Sequence, residues 1–431
     1  MVACEDVYLK DSRKEDYVKE LIENINIIKN HPSLAIVCGN NEGEDKLKDR
    51  QENIDAVIDY IELFEIEFKK IMEKLDNQLF YWPSSPSNIG SFIKTNDPSY
   101  GDSHLWGVWF ANKPFDYYNG MNVRFASEYG YESIPYISTV NSFSDINSES
   151  FLNQLSIRER TGVFNGIDKI LFDIKERYGD ISTNQGLIYA SQLLQAEMFI
   201  NAIEYFRSIR GICMGSIYWQ LNDCWPCVSH STIDYFLRKK IATYAIRKLY
   251  SPFLIILNNS SDEIKIKIVN ERRECFKGKL HFKISDNFFN VIFEKIIDIN
   301  INSLSVKDID SIICSKKINK KEVFVTAELL DDDNNVVSKN TILFVKPKEY
   351  LYEIDNISYE LRRLNKDDCL LSIQSNCFIY KLFINIDVDL DNNLIDITSY
   401  EPVVIKFKYT KDLSLLEKNI SFDSLNKIRG H

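Results

Sequence analysis

Two glutamates follow short apolar runs and set a chemical question. Glu42 closes Gly39-Asn40-Asn41-Glu42, directly after Leu34-Ala35-Ile36-Val37-Cys38. Glu128 closes Arg124-Phe125-Ala126-Ser127-Glu128 and precedes Tyr129-Gly130. Singly, each reads as a solvated loop residue or a helix-start cap. As a pair among amide, hydroxyl and aromatic neighbours they fit glycoside hydrolysis. That reaction needs a protonated acid at the leaving oxygen and an ionised carboxylate near the anomeric carbon. Asn41 is placed to bind a sugar 2-hydroxyl, where hydrogen bonds strengthen in the transition state. Trp219 is either a platform for a sugar face or a core tryptophan.

Alternating elements are needed to bring these residues together. Val18, Leu21, Ile22, Ile25 and Ile28 predict a helix over 14–29, stopped before Pro32. The run 34–38 reads as a strand buried on both faces, as in a parallel sheet. A second helix is expected over 46–75 and a third over 186–210. Further strands are expected at Leu79-Phe80-Tyr81-Trp82, over 104–109, over 121–128 and over 214–219. Five strands alternating with helices predict a parallel sheet, barrel or open, with its chemistry at the strands' carboxyl ends. Polar residues gather there: Asn40, Asn41 and Glu42; Ser84 and Ser85; Glu128; Gln220, Asn222 and Asp223. After Ser251 the texture changes to alternating runs such as Ile264-Lys265-Ile266-Lys267-Ile268, separated by polar turns, which is antiparallel sandwich character. A second break at Lys346-Pro347-Lys348 divides this part into two β modules, 251–347 and 348–431.

Composition narrows the function classes. The 431 residues carry 52 Lys+Arg against 63 Asp+Glu, a formal charge of −11, which disfavours a phosphate-backbone binder. No nucleic acid partner is expected. A hydrophobic fraction of 45% with 27% charged residues is globular composition. No run has the length of a membrane span, and residues 1–30 show no signal peptide. Nine scattered cysteines form no disulfide framework. Cys224-Trp225-Pro226-Cys227 has the spacing of a redox or zinc pair, but only His230 is near and no second CxxC exists, so chance spacing in a loop is the preferred reading.

Longer segments carry a family resemblance. His31 to Glu42 resembles the acid/base strand of the β-mannosidases of glycoside hydrolase family 2, and Phe125-Ala126-Ser127-Glu128-Tyr129-Gly130-Tyr131-Glu132-Ser133-Ile134-Pro135 resembles their nucleophile strand. Tyr81-Trp82-Pro83-Ser84-Ser85-Pro86-Ser87, Asp102-Ser103-His104-Leu105-Trp106-Gly107-Val108-Trp109 and the stretch from Cys213 to Pro226 match further segments in the same order. The resemblance implies Glu42 as general acid/base, with a raised pKa, and Glu128 as nucleophile in a retaining reaction. It implies Asn41, Trp82, Asp102, His104, Trp106, Trp219 and Asn222 as substrate-binding residues. It implies an oligosaccharide substrate with terminal β-mannose, no cofactor and no metal. A β-galactosidase or exo-β-glucosaminidase of the same family, or an inactive carbohydrate-binding remnant, is the alternative.

The implied fold is α/β plus all-β: an incomplete (β/α)8 TIM barrel over 1–250, then two immunoglobulin-like β-sandwich modules. Glu42 follows the first visible strand and Glu128 the fourth, whereas in the family these residues follow the fourth and the seventh. Met1-Val2-Ala3-Cys4 resembles the tail of the third strand. Earlier strands and the family's amino-terminal domains are therefore expected to be missing, and little activity is expected of the chain alone. Val37 and His230 stand where the family usually has tryptophan, and Phe110 where it often has histidine; His230 reads as a surface loop residue. The compartment and the oligomeric state are not readable: a lysosomal or secreted protein needs an upstream signal peptide, and otherwise the chain is cytoplasmic. Sequons at Asn258, Asn259, Asn356 and Asn419 fit the first route, or chance in an Asn-rich chain.

Overall fold

The computed structural model describes every residue except 1–13, 49–53, 89, 91, 146–151, 153, 164, 261–262, 314–317 and 430–431. The segment Met1 to Cys4 lies outside the described residues. The chain divides into two compact units. One comprises Met1–Tyr129 with Ile209–Trp219, the other Gly130–Ser208 with Gln220–His431.

In the first unit, β1 (Ile36–Asn41) and β2 (Phe80–Ser85) run parallel, in register from Ile36 opposite Phe80 to Asn41 opposite Ser85. Consecutive residues Val37 to Asn40 are buried, as a strand covered on both faces requires. Helical segments at Lys14–Ile28 and from Ile54 to Leu75 supply the cover. Val37 packs with Ile25 and Met72, while Tyr60, Leu63, Phe64 and Phe68 form a second cluster with Leu47. Val37 therefore faces helices. Residues 61–67 wind as a π-helix, a local widening absent from the expected single helix.

A second parallel pair joins β3 (Ser103–His104) to β4 (Ala126–Glu128), with a register shift between Ser103 and His104. Ser216 bridges Ala126 in the same parallel sense, flanked by bonds from Ala126 N to Gly215 O (3.1 Å) and from Ile217 N to Ala126 O (2.8 Å). The expected strands over 104–109, 121–128 and 214–219 are thus shorter than read. Gly107–Phe110 turns helical straight after His104, and Arg124 N is drawn aside to Pro98 O.

In the second unit, the long helix Asn184–Ser208 packs against Ile241–Leu249 and Gly166–Tyr178. His230, expected at the surface, is buried, because the Ser133–Ser229 bridge draws its segment inward. There His230 Nδ1 lies 3.6 Å from a carboxylate oxygen of the wholly buried Glu132. Burial pushes the Glu132 carboxyl from its ordinary 4.5 up to about 8, with the Lys240 ammonium and the Gly162 N–H pulling the other way. Burial likewise drives His230 down to about 3, and the Lys240 charge adds to the shift.

Among the described residues, the paired strands after residue 250 are antiparallel. β5 (Phe253–Ser260), β6 (Glu263–Asn270) and β9 (Ser305–Ile313) form one sheet, and β7 (Phe276–Asp286), β8 (Val291–Ile301), β10 (Val323–Leu330) and β11 (Val336–Leu343) another. Their alternate inward residues, including Ile255, Ile266, Phe282 and Val325, share one core, so the two sheets make a sandwich. β12 (Ile357–Arg363), β13 (Asp368–Ser375) and β16 (Val403–Lys408) form a further sheet, and β14 (Ile379–Asn385) lies between β15 (Ile395–Ile397) and β17 (Ser421–Asp423). Leu371, Ile384, Ile397 and Phe407 fill the core that these strands share. The chain is thus mixed α/β with parallel pairs, followed by all-β structure. Among the described residues no helix is long and apolar enough to cross a membrane.

Cys224 is exposed and Cys227 buried, and neither is disulfide-bonded. Burial pushes the Cys227 thiol up to about 12, the opposite of a reactive redox cysteine.

Candidate active site

The end of β1 is held by a buried polar network. Gly39 lets the two strands close up: a Cβ there would lie 2.5 Å from the Pro83 carbonyl oxygen. Asn40 Oδ1 accepts from Gly43 N and from Ser84 Oγ, both at 2.8 Å, while its Nδ2 donates to Pro83 O at 2.9 Å. The buried Glu44 accepts from Ser87 Oγ and, at 3.0 Å, from Phe92 N. Glu42 N continues the β1–β2 ladder to Ser85 O at 2.7 Å. Between these fixed points Glu42 adopts φ 57° and ψ 14°, in the left-handed region.

The same two strands lead to a second hub. The buried Asp102 accepts hydrogen bonds from Trp82 Nε1 (2.9 Å), Ser85 Oγ (2.5 Å), Ser127 Oγ (2.6 Å) and Ser87 N (3.1 Å). Four donors on one carboxylate tie β2, β3 and β4 together. Removing it takes the acceptor from an indole N–H, a backbone N–H and the Ser85 hydroxyl, while Ser127 Oγ keeps Ser103 O at 3.3 Å; a buried donor left unsatisfied costs about 1–3 kcal/mol. Asp102→Ala is therefore expected to lower stability by on the order of 3 kcal/mol, read from urea unfolding by tryptophan fluorescence. A loss near zero would mean that Asp102 does not organise the site.

His104 joins the two glutamates. Its Nδ1 lies 3.0 Å from Glu42 Oε1 and 2.5 Å from Glu128 Oε2, and its Nε2 lies 3.1 Å from Ser85 Oγ. One ligand atom from each of Glu42, His104 and Glu128 lies within 4.8 Å of the other two. Such a trio could grip a divalent cation. Ligands on a tetrahedral zinc with bonds near 2.0–2.1 Å sit roughly 3.3 Å apart, so the 2.5 Å contact suits a shared proton better. Burial alone would push the imidazolium down, yet hydrogen bonds to Glu128 and Glu42 hold His104 up at about 9. The hydrogen bond from His104 holds the Glu42 carboxyl below its ordinary range, against burial, with Lys46 assisting and Asp45 opposing. The raised pKa expected of Glu42 is thus corrected: the histidine lowers it.

The remaining residues expected in the site take varied places. Trp106 directs Nε1 at Glu128 Oε2 (3.5 Å) and meets Phe110 edge-on at 5.3 Å. Trp82 stacks on Phe80. Asn41 ends β1 beside Glu42, opposite Ser85. Trp219 is 38% exposed, and its N–H donates to Tyr129 O at 2.9 Å, next to Glu128. Asn222 belongs to the second unit, where it bridges Ile233. The roles of Ser85 and Asn40 were missed; the signal was their position at the carboxyl ends of apolar runs.

The Mannosidase Ig/CBM-like domain family matches residues 262–349. A protein of Aspergillus clavatus named β-mannosidase B is 30% identical over 261 residues, covering 56% of this chain and 30% of its own length. One of the same name from Neosartorya fischeri is 25% identical over 415 residues, covering 85% of this chain and 47% of its own. The chain is β-mannosidase-like, of the glycoside hydrolase family 2 kind. It spans less than half the length of these curated relatives. The crystal structure of β-D-mannosidase from Dictyoglomus thermophilum superposes with a TM-score of 0.85 at 23% identity, over 96% of this chain and 51% of that one. The exo-chitosanase of Amycolatopsis orientalis superposes at 0.71 with 13% identity, over 97% of this chain and 54% of that one. These two likenesses are of fold. The chain is similar to the enzymes of this family across both its parallel-strand part and its sandwiches.

Proposed function

We propose that the chain carries the catalytic pair of a retaining exo-β-mannosidase, which removes terminal non-reducing β-D-mannose from oligosaccharides and glycoproteins. Glu128 is the nucleophile and Glu42 the general acid/base. Asn41, Trp82, Asp102, Trp106 and Trp219 are assigned to the sugar-binding surround, in contact or in support. In the same reading, 1–250 is a partial barrel, and 251–347 and 348–431 are sandwich modules.

The observation that carries the reading is the closeness of the two carboxylates, with oxygens within 4.8 Å of one another. Retaining glycosidases hold their carboxyl groups about 5–5.5 Å apart, while inverting ones leave room for a water at 6.5–9.5 Å. Glu128 attacks the anomeric carbon and forms a glycosyl ester as Glu42 protonates the departing oxygen. Glu42 then takes a proton from water, which cleaves the ester with net retention.

The decisive experiment traps that ester. A 2-deoxy-2-fluoro-β-mannosyl fluoride destabilises the oxocarbenium-like transition state of hydrolysis while keeping a good leaving group, so the ester persists. Peptide mass mapping is expected to place one fluoromannosyl group on Glu128. A label on Glu42, or none in the chain extended upstream by the family's earlier strands, overturns the assignment. A matched β-glucosaminyl reagent is expected to label poorly.

A further inference from the structure

We propose that His104 holds the proton that Glu42 delivers to the leaving oxygen, passing it from Nδ1 to the Glu42 carboxylate as Glu128 gives up its charge. The proposal rests on the roles assigned above to Glu42 and Glu128. It makes His104 a positioning residue for the catalytic proton, acting through Glu42.

The tautomer follows from the hydrogen-bond chain. Ser85 Oγ donates to Asp102 Oδ2 at 2.5 Å, so the serine oxygen offers a lone pair to His104 Nε2 at 3.1 Å. Nε2 therefore bears a hydrogen in every state. A neutral ring would turn a bare Nδ1 lone pair toward two carboxylate oxygens, at 3.0 and 2.5 Å. Three acceptors cannot satisfy one another, so one proton must lie among them. The charges that face it are Glu42 and Glu128 directly, Asp102 through Ser85, and Lys46, whose Nζ lies 3.8 Å from Glu42 Oε2, with Asp45 beside it. These settings place the proton on His104 and leave Glu42 ionised, which is the wrong state for a general acid.

The first chemical step corrects this. When Glu128 bonds to the anomeric carbon it becomes a neutral ester, and the shorter of the two contacts to Nδ1 loses its charge. Glu42 remains at 3.0 Å. The Nδ1–H bond breaks, its electron pair stays on the ring, and an O–H bond forms on Glu42. Imidazolium and carboxylate both become neutral, and Glu42 passes that proton to the leaving oxygen. In the second step the proton from water reaches Glu42 and returns to Nδ1 as Glu128 regains its charge. The cycle closes with no net proton gained or lost by the protein.

The test reads protons without sugar. The 431-residue chain is labelled with 15N-histidine and titrated by NMR, with His104 assigned by its loss in His104→Gln. His104 is expected to remain imidazolium well above pH 7. In Glu128→Gln, which mimics the nucleophile with its charge removed, its pKa is expected to fall by at least one unit, a tenfold loss of proton affinity. The 13C carboxyl signal of Glu42 should then titrate above the ordinary carboxylate range. Glu42→Gln provides a second variant, with a smaller fall for His104. Titration of His104 at or below 6.5 in the unsubstituted chain overturns the proposal, as does a Glu128→Gln form in which the His104 pKa does not fall or the Glu42 carboxyl still titrates below its ordinary range. Neither readout depends on β-mannoside turnover, so a failed trapping experiment would refute the catalytic roles and leave these outcomes distinct.

Discussion

In the chain extended upstream by the family's earlier barrel strands, Glu128→Ala is expected to abolish turnover of aryl β-mannosides whatever the leaving group, a loss on the order of 10⁴-fold or more. Without that carboxylate no glycosyl ester forms, and no better leaving group replaces it. Glu42→Ala should behave differently. A phenolate stabilised by nitro groups departs without a proton, so the first step survives. A poor leaving group needs the acid and loses about 10²–10⁴-fold. The second step suffers in both cases, because Glu42 also activates water, so good leaving groups should give a burst followed by slow turnover. The measurement is kcat/KM against leaving-group acidity for both variants. A Glu42→Ala loss independent of the leaving group removes Glu42 as the acid. Undiminished turnover by Glu128→Ala removes Glu128 as the nucleophile.

The second large effect concerns stability. Glu132 is wholly buried, with its carboxyl raised from the ordinary 4.5 to about 8. Below pH 4.5 the folded and unfolded chains both carry a protonated Glu132, and burial costs no charge. As pH rises, the unfolded chain ionises first, and stability falls until the folded carboxyl ionises near 8. Glu132→Gln removes this penalty. The variant should match the parent at pH 4 and exceed it by about 3 kcal/mol at pH 9, allowing for partial relaxation around the charge. Thermal melting across that range is the check. A constant gap, or one that closes as pH rises, would show that Glu132 ionises freely in the fold.

Legibility in the sequence followed the range of the interactions. Glu42 and Glu128 were readable because each ends an apolar run, and a parallel strand delivers its last side chain to one end of the sheet. The sandwiches were readable from alternation, as in Ile264, Ile266 and Ile268, all buried on one face. His104 was singled out as a sugar contact, but its bridging position was not readable. It depends on the register shift beside Ser103, which sets His104 opposite Glu128, and no local pattern encodes a shift of that kind. Strand lengths failed for a related reason: apolar content marked 104–109, but Gly107 begins a helix there. The Glu132–His230 pairing joins residues far apart in sequence, beyond the reach of periodicity.

The left-handed conformation of Glu42 bears on how this chain would drift under mutation. A residue with a Cβ holds φ 57° at a cost of about 1 kcal/mol relative to glycine, and asparagine tolerates it better than glutamate. Exchange to glycine would relieve that backbone cost but give up the hydrogen bond from His104. Backbone preference and side-chain contact thus pull in opposite directions at position 42.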